Sequence, residues 1–297
     1  MNEPRQYISL IKHISLRNIK LFFMLPAVIW VLVFTIFPLF YSLGLSFYNI
    51  VLGMPPQFVG FKNFIGAFDD YKVAHATLVT LIFIAVAIPV ELVLGMALAL
   101  LFNQDIPGRK YFRTILTMPL FFTPVAIGLL GLTIFYEEGG PINSLLGLLG
   151  IKIPWLSHPT WAMVAVLLAE IWQWTPFVFL IFLASLQGLP EEIYESALLD
   201  SSSWWQIFRW ITLPMLQPVI IITLLLRLIE AVKIFDIAYT LTAGGPGIAT
   251  EVYSLFIYRT GMKFFNLGYA SSLAYLLLIG MMIVVTFFFK RMREIYE

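Results

Sequence analysis

No cysteine occurs among the 297 residues, which excludes disulfides, thiolate metal sites and cysteine nucleophiles without indicating a compartment. Charge is scarce as well. Asp, Glu, Lys and Arg make up 12% of the chain, about half the share of a soluble domain, and a net charge of +1 supplies no basic field to draw nucleic acid. The three histidines, His13, His75 and His158, are scattered outside the apolar stretches, so neither a His-Glu metal cluster nor a Ser-His-Asp triad can be assembled from the sequence. No Gly-x-x-x-x-Gly-Lys-Ser/Thr run is present, and the glycines from Gly244 to Gly247 are followed by no lysine, so the chain has no P-loop with which to hydrolyse ATP. An enzyme reading is left without support.

What is abundant is apolar surface: 60% of residues, with a mean hydropathy of +0.91. Six stretches approach the roughly 20 residues needed to cross a bilayer, at about Leu21–Ser46, Ala76–Phe102, Tyr111–Phe135, Trp161–Gln187, Met215–Ala238 and Ala270–Phe289. Nothing alternates as barrel strands do, so the expectation is an all-α integral membrane protein of six transmembrane helices. The first stretch is longer than a signal-peptide core and shows no small-residue cleavage pattern, so it is expected to stay as a span. Residues 1–20 then form an N-terminal segment, 21–289 the membrane domain and 290–297 a tail. Eleven Lys and Arg residues collect on the side of the termini and of Arg109 to Arg113, against five on the other side, Lys62, Lys72, Lys152, Arg259 and Lys263. By the positive-inside rule both termini are expected in the cytoplasm, in a multi-pass protein of the cytoplasmic membrane.

Between the fourth and fifth stretches lies a polar insert, 188–218, on the same side as the termini. Pro190 suits a first helical position, and Glu191 and Glu192 complement the unpaired amides of a first turn. A short helix is expected from Pro190 to Asp200, with Ser203 and Gln206 opening a second that Pro214 ends. Interfacial helices usually carry Lys and Arg on their polar face; this one carries Glu191, Glu195 and Asp200 beside the apolar Ile193, Ala197 and Leu198, which suits a basic protein groove better than anionic lipid.

The run Glu195, Ser196, Ala197, three residues on to Asp200, then Phe208, Ile211, Leu213 and Pro214 resembles the EAA signature of permease subunits in bacterial and archaeal ABC importers. The departures are Ser201, where that family usually has Gly, and Ser196 and Ser202 in place of Ala; serine lacks glycine's easy positive φ, so the bend after the helix is expected to differ. Gly60 to Phe64, Gly139 to Asn143 and Thr242 to Gly247 resemble outer loops of carbohydrate permeases of the maltose and glycerol-phosphate type. From residues alone these loops are turns rich in Gly and Pro. The resemblance, which spans the chain from about Leu21, implies the type I importer permease fold and a cytoplasmic coupling helix. Its contacts with an ATPase would come from Glu191, Ile193, Tyr194, Glu195, Ala197, Leu198 and Asp200. It implies a second permease subunit, two copies of an ATPase subunit that carry the ATP and magnesium, and an extracytoplasmic binding protein that delivers a sugar or polyol. No cofactor is implied in this chain, and lipid is the only other expected neighbour. Glu251, Asp69 and Asp70 are outer charges that would face the binding protein or simply be solvated.

Ionisable side chains at bilayer depth are costly and are candidates for function by default. They are Glu91 in the second stretch, Glu170 in the fourth, and Arg227, Glu230, Lys233 and Asp236 in the fifth. Arg227 and Glu170 fall at similar depth at about 1.5 Å per residue. Glu170, Gln173, Trp174 and Phe177 share one helical face by their spacing, as do Arg227, Glu230, Ala231 and Ile234. Aromatic planes beside hydrogen-bonding groups suit sugars, and the resemblance implies that these two faces line the substrate pathway; the structural alternative is an ion pair between Glu170 and Arg227 that only holds the bundle. Pro89, Pro119, Pro124 and Pro176 read as kinks. Two other functions compete: an ion-coupled secondary transporter relaying through Glu170, Arg227 and Glu230, and an assembly subunit with no pathway of its own.

Overall fold

Backbone groups that cross lipid must be paired within their own segment, and this chain is helical almost throughout. The computed structural model describes residues 16–200 and 203–296, with the side chains at 16–21, 191, 198–200 and 291–296 outside the described set. The expectations for Ser201 and Ser202, and for the side chains of Glu191, Leu198 and Asp200, therefore lie outside the described residues.

The helices in chain order are α1 (Leu16–Val31), continued by a π turn at Leu32–Ile36 into α2 (Phe37–Ser46), α3 (Lys62–Asp69), α4 (Tyr71–Phe102), α5 (Arg109–Thr117), α6 (Pro124–Ile134) and α7 (Pro141–Gly147). They are followed by α8 (Pro159–Gln187), α9 (Glu191–Asp200), α10 (Trp204–Ile207), α11 (Leu213–Val232), α12 (Asp236–Thr242), α13 (Tyr253–Tyr258) and α14 (Leu267–Tyr296). A two-residue ribbon pairs β1 (Tyr48–Asn49) with β2 (Gln57–Phe58) in antiparallel register. Five helical stretches are long and apolar enough to cross a membrane, at Phe22–Ser46, Tyr71–Phe102, Pro159–Gln187, Trp204–Val232 and Leu267–Lys290, and a bent pair makes the sixth.

That pair is the third stretch, expected at Tyr111–Phe135 with kinks at Pro119 and Pro124, and the bend there amounts to a break. Arg109–Phe121 and Pro124–Ile134 meet at 102°. Pro119 lies in a 3-10 turn, Met118–Phe121, and Pro124 opens α6 with Thr123 as its N-cap. The two prolines bracket an extended Phe122, where the ladder of backbone bonds cannot continue. Pro89 and Pro176 instead lie inside unbroken helices.

The fifth span also shifts. It was expected at Met215–Ala238, with a helix before it that Pro214 terminates, but the helix runs from Trp204 to Val232. Pro214 lacks an amide and its ring crowds the carbonyl four residues back; the π turn at Phe208–Thr212 widens the helix just before it and lets the helix pass. At the other end Lys233 caps α11, and Phe235, with φ −142° and ψ −57°, separates it from α12.

Close approaches between helices are made by glycine. At Gly95 on α4 a Cβ would lie 2.5 Å from Val178 Cγ1 on α8, and at Gly128 on α6 it would lie 1.7 Å from Thr240 Oγ1 on α12. Small residues of this kind let backbones pack tightly where lipid removes the ordinary hydrophobic drive. Two apolar clusters line the contacts of α4 with α8 and α11. One holds Phe83, Ala87 and Ile88 of α4 against Val166 and Ala169 of α8 and Ala231 of α11; the other holds Met96 and Ala99 of α4 against Val178, Phe179 and Phe182 of α8 and Leu216 of α11. Along all three helices, the seam between the clusters falls where the charged residues stand.

Candidate functional site

Glu91, Glu170 and Arg227 meet at that seam. The guanidinium forks onto Glu91, with Nε donating to Oε2 at 2.6 Å and Nη2 to Oε1 at 2.9 Å, and Nη2 also donates to Glu170 Oε1 at 3.0 Å. Glu91 and Arg227 are fully buried and Glu170 is 4% exposed within this one chain. Two carboxylates therefore share one cation inside a single subunit, tying α4, α8 and α11 together. The second acid, Glu91, had been singled out by its depth but not placed with the other two; its three-residue separation from Ile88 and its distance in sequence from Arg227 gave no pairing signal.

Trp174 closes the other side of the cation, with its ring centroid 4.3 Å from Arg227 Cζ and its edge against Phe177 at 5.8 Å between ring centroids. Trp174 and Phe177 are both half-buried, whereas Gln173 is 3% exposed. The Gln173 side chain donates from Nε2 to the Phe122 carbonyl at 3.0 Å, which is the carbonyl freed by the broken span. Among the described residues, Arg227 Nη1, Gln173 Oε1 and Thr175 Oγ1 are buried without a hydrogen-bond partner. A polar, partly satisfied layer thus stands behind two partly exposed rings.

The face expected on the fifth span does not assemble. Glu230 is half-exposed and pairs with Lys233, Nζ to Oε1 at 2.8 Å, away from Arg227. Ala231 and Ile234 are buried in the apolar cluster, and Ile234 lies beyond the end of α11. A three-residue step keeps Glu230 on the Arg227 side of the helix, but Lys233 one further step on takes its carboxylate, and the helix ends before the i+7 position is reached. Trp172 is exposed and stacks on Phe122.

At the end of the bundle where α9 lies, its two faces are distinct. Glu192, Ile193, Glu195 and Ser196 are exposed. Tyr194 and Ala197, expected to enter a partner's groove, turn toward the chain itself: Ala197 is 7% exposed, and the Tyr194 hydroxyl donates to Thr212 Oγ1 at 3.0 Å. The three-residue step from 194 to 197 puts both on one side of the helix, opposite Glu192, Ser196 and Glu195.

At the opposite end the loops are built rather than loose. Asn143 bonds the Glu137 and Ile153 carbonyls through Nδ2, at 3.0 and 2.8 Å, and accepts from Trp155 Nε1 at 3.0 Å. Gly140 is required there, since a Cβ would lie 2.4 Å from the Tyr136 carbonyl oxygen. Partial burial pushes the Glu137 carboxyl up, but the Ser157 and Leu156 amides and the Ser157 hydroxyl outweigh it and hold the group below its ordinary range. Glu251, expected as an outer contact, is buried and paired with Arg259, which also bonds the Ala243 carbonyl. Asp70 caps α4 and accepts from the Tyr269 hydroxyl, leaving Asp69 as the exposed member of that trio.

Comparison with known proteins places this geometry. Residues 91–296 match the family described as binding-protein-dependent transport system inner membrane component. The chain is 37% identical over 247 residues to a trehalose/maltose transport system permease protein of Thermococcus litoralis, covering 82% of each. It is 33% identical to a lactose transport system permease protein of Rhizobium radiobacter, covering 92% of this chain and 93% of that one. A chain of a bacterial alginate ABC transporter, solved in complex with an alginate pentasaccharide-bound periplasmic protein, superposes with a TM-score of 0.83 at 26% identity, covering 94% of this chain and 96% of that one.

Proposed function

This chain belongs to the family of binding-protein-dependent transport system inner membrane components, and from that premise we propose that it is one half of the membrane pathway of an ATP-driven importer for a sugar or polyol. A second permease subunit completes the pore. A soluble binding protein delivers substrate to the loops around Asn143, and two ATPase subunits, carrying ATP and magnesium, grip α9 from the cytoplasm, where both termini lie. The observation that carries this reading is α9 itself: an acidic helix between two spans whose outward face, Glu192, Ile193, Glu195 and Ser196, is bare in the chain. Acid on that face favours a basic protein groove over anionic headgroups. Closure of the ATPases moves α9, and α8 and α11 switch access across the middle of the membrane.

In that pathway the rings of Trp174 and Phe177 offer apolar planes to the C–H faces of a sugar, while Glu170, Gln173 and Arg227 stand behind them. Arg227 is committed to Glu91 and Glu170, so no uncompensated positive charge remains to hold an anion; this supports a neutral sugar or polyol. The sugar names of the relatives support the class.

The test is Glu195→Arg in the reconstituted importer. Charge reversal on the outward face should leave the complex assembled and abolish uptake while ATP is still hydrolysed; transport at the normal rate would remove the docking role of α9. The ion-relay alternative loses its third member, because Glu230 is bonded to Lys233 and not to Arg227, and uptake that tracks an ion gradient after ATP depletion would restore it. An assembly subunit without a pathway would transport normally with Trp174→Ala.

A further inference from the structure

Resting on the importer reading, we propose that Tyr194 is a positioning residue that passes the displacement of α9 to the membrane span carrying Arg227, through its hydrogen bond to Thr212. Three observations converge. Tyr194 does not face outward with Ile193 and Glu195; its hydroxyl donates to Thr212 Oγ1 at 3.0 Å. Thr212 is 4% exposed and is the last residue of the π turn, with α11 starting at the next residue. From there α11 runs unbroken to Val232, with Arg227 on it.

A push on α9 therefore meets the chain at the residue from which α11 starts. A tyrosine suits this work because its ring is stiff, with two rotatable bonds, and its hydroxyl offers a directional contact at the end of that lever. The π turn adds a place where the push can be absorbed or passed on, since its wider ladder lies immediately on the α10 side of Thr212. Without the Tyr194 bond, α9 can move with the ATPase while the turn yields and α11 stays behind.

The chain has no cysteine, so spin labels can be placed at Leu226→Cys on α11 and Leu94→Cys on α4, both exposed. Distances between them are measured in the complete complex with its binding protein, before and after trapping with MgATP and vanadate. The unaltered chain is expected to shift on trapping. Tyr194→Phe and Thr212→Val should each lower the ratio of shifted to unshifted population by about twofold to tenfold, the worth of one net hydrogen bond. The double variant should lose no more than either single, Thr212→Ser should behave as the unaltered chain, and all should retain the ATPase on purification.

A full shift with Tyr194→Phe, or losses that add in the double variant, would overturn the proposal, as would the absence of any shift in the unaltered chain. Loss of the ATPase from the Tyr194→Phe complex would also overturn it, by showing that the ring contacts the partner. Failure of the unaltered chain to hold an ATPase at all is a different result, which removes the importer reading beneath it.

Discussion

Replacing Arg227 by methionine removes three hydrogen bonds and leaves the Glu91 and Glu170 carboxylates facing each other in a layer with almost no solvent exposure. Breaking a buried charge pair by deleting one partner costs about 3–5 kcal/mol, because the surviving charge keeps its desolvation penalty and loses its compensation. Two survivors here place Arg227→Met at the upper end, a factor of roughly four thousand in the folded-to-unfolded ratio at about 1.4 kcal/mol per decade. Replacing all three, as Glu91→Met, Glu170→Leu and Arg227→Met, removes the penalty with the pair and should recover most of that stability. Uptake separates the two roles. The triple variant should refold the bundle without restoring transport, because Trp174 has lost the cation 4.3 Å from its ring centre. The assay is thermal unfolding of the purified complex beside uptake in proteoliposomes. A single variant that melts with the unaltered protein, or a triple variant as unstable as the single, would refute the reasoning about burial. Full uptake by the triple variant would make the triad purely structural.

Gln173→Leu strips the Phe122 carbonyl of its donor at the break in the third span; an unmade bond of that kind costs about 1–3 kcal/mol. Thermal unfolding should fall accordingly, and Gln173→Glu, which cannot donate when ionised, should not rescue it. At the end of the bundle away from α9, Glu137 carries a depressed pKa, so the stability it adds to the 137–157 loop is fully present above the ordinary carboxylate value of 4.5 and is lost as pH falls through the lower value reached in the fold. Amide exchange at Leu156 and Ser157 should therefore accelerate in acid, after correction for intrinsic rates, and Glu137→Gln should flatten that pH dependence; an unchanged profile in the variant would assign it to another group.

Helix type and span number were legible because apolar length is a one-dimensional signal, and Phe22–Ser46, Pro159–Gln187 and Leu267–Lys290 lie within a few residues of where composition puts them. The meeting of Glu170 with Arg227 was legible for a similar reason, since rise per residue converts sequence position to depth. Glu91 was not, because depth alone does not say which way a helix is turned, and its rotation is fixed by the close approach at Gly95 one turn away. In the third span Pro119 and Pro124 were legible as kinks, but the size of the bend was not, because it comes from the two of them together bracketing an extended Phe122. On α9 the residues were foreseen as one docking set, whereas the helix divides them by angle, and a period of 3.6 could have warned that Tyr194 and Ala197 oppose Glu192 and Glu195.

Apolar packing by itself would hold α11 loosely, because the contacts of Leu216 or Ala231 with their neighbours lack a preferred rotation and lipid competes for them on nearly equal terms. Two directional contacts remove that freedom. The bidentate fork from Arg227 to Glu91 is lost if α11 turns by one residue, about 100°, or slides by about 1.5 Å, and the Tyr194 hydroxyl bond to Thr212 fixes the base of the same helix. Thr212 and Arg227 stand about 22 Å apart at 1.5 Å per residue. A rod pinned at both points can tilt with its neighbours but cannot spin, so a displacement entering at Thr212 reaches the Trp174 layer as a change of tilt. In the importer we propose, that tilt is what would let a pathway near mid-membrane open on one side as it closes on the other.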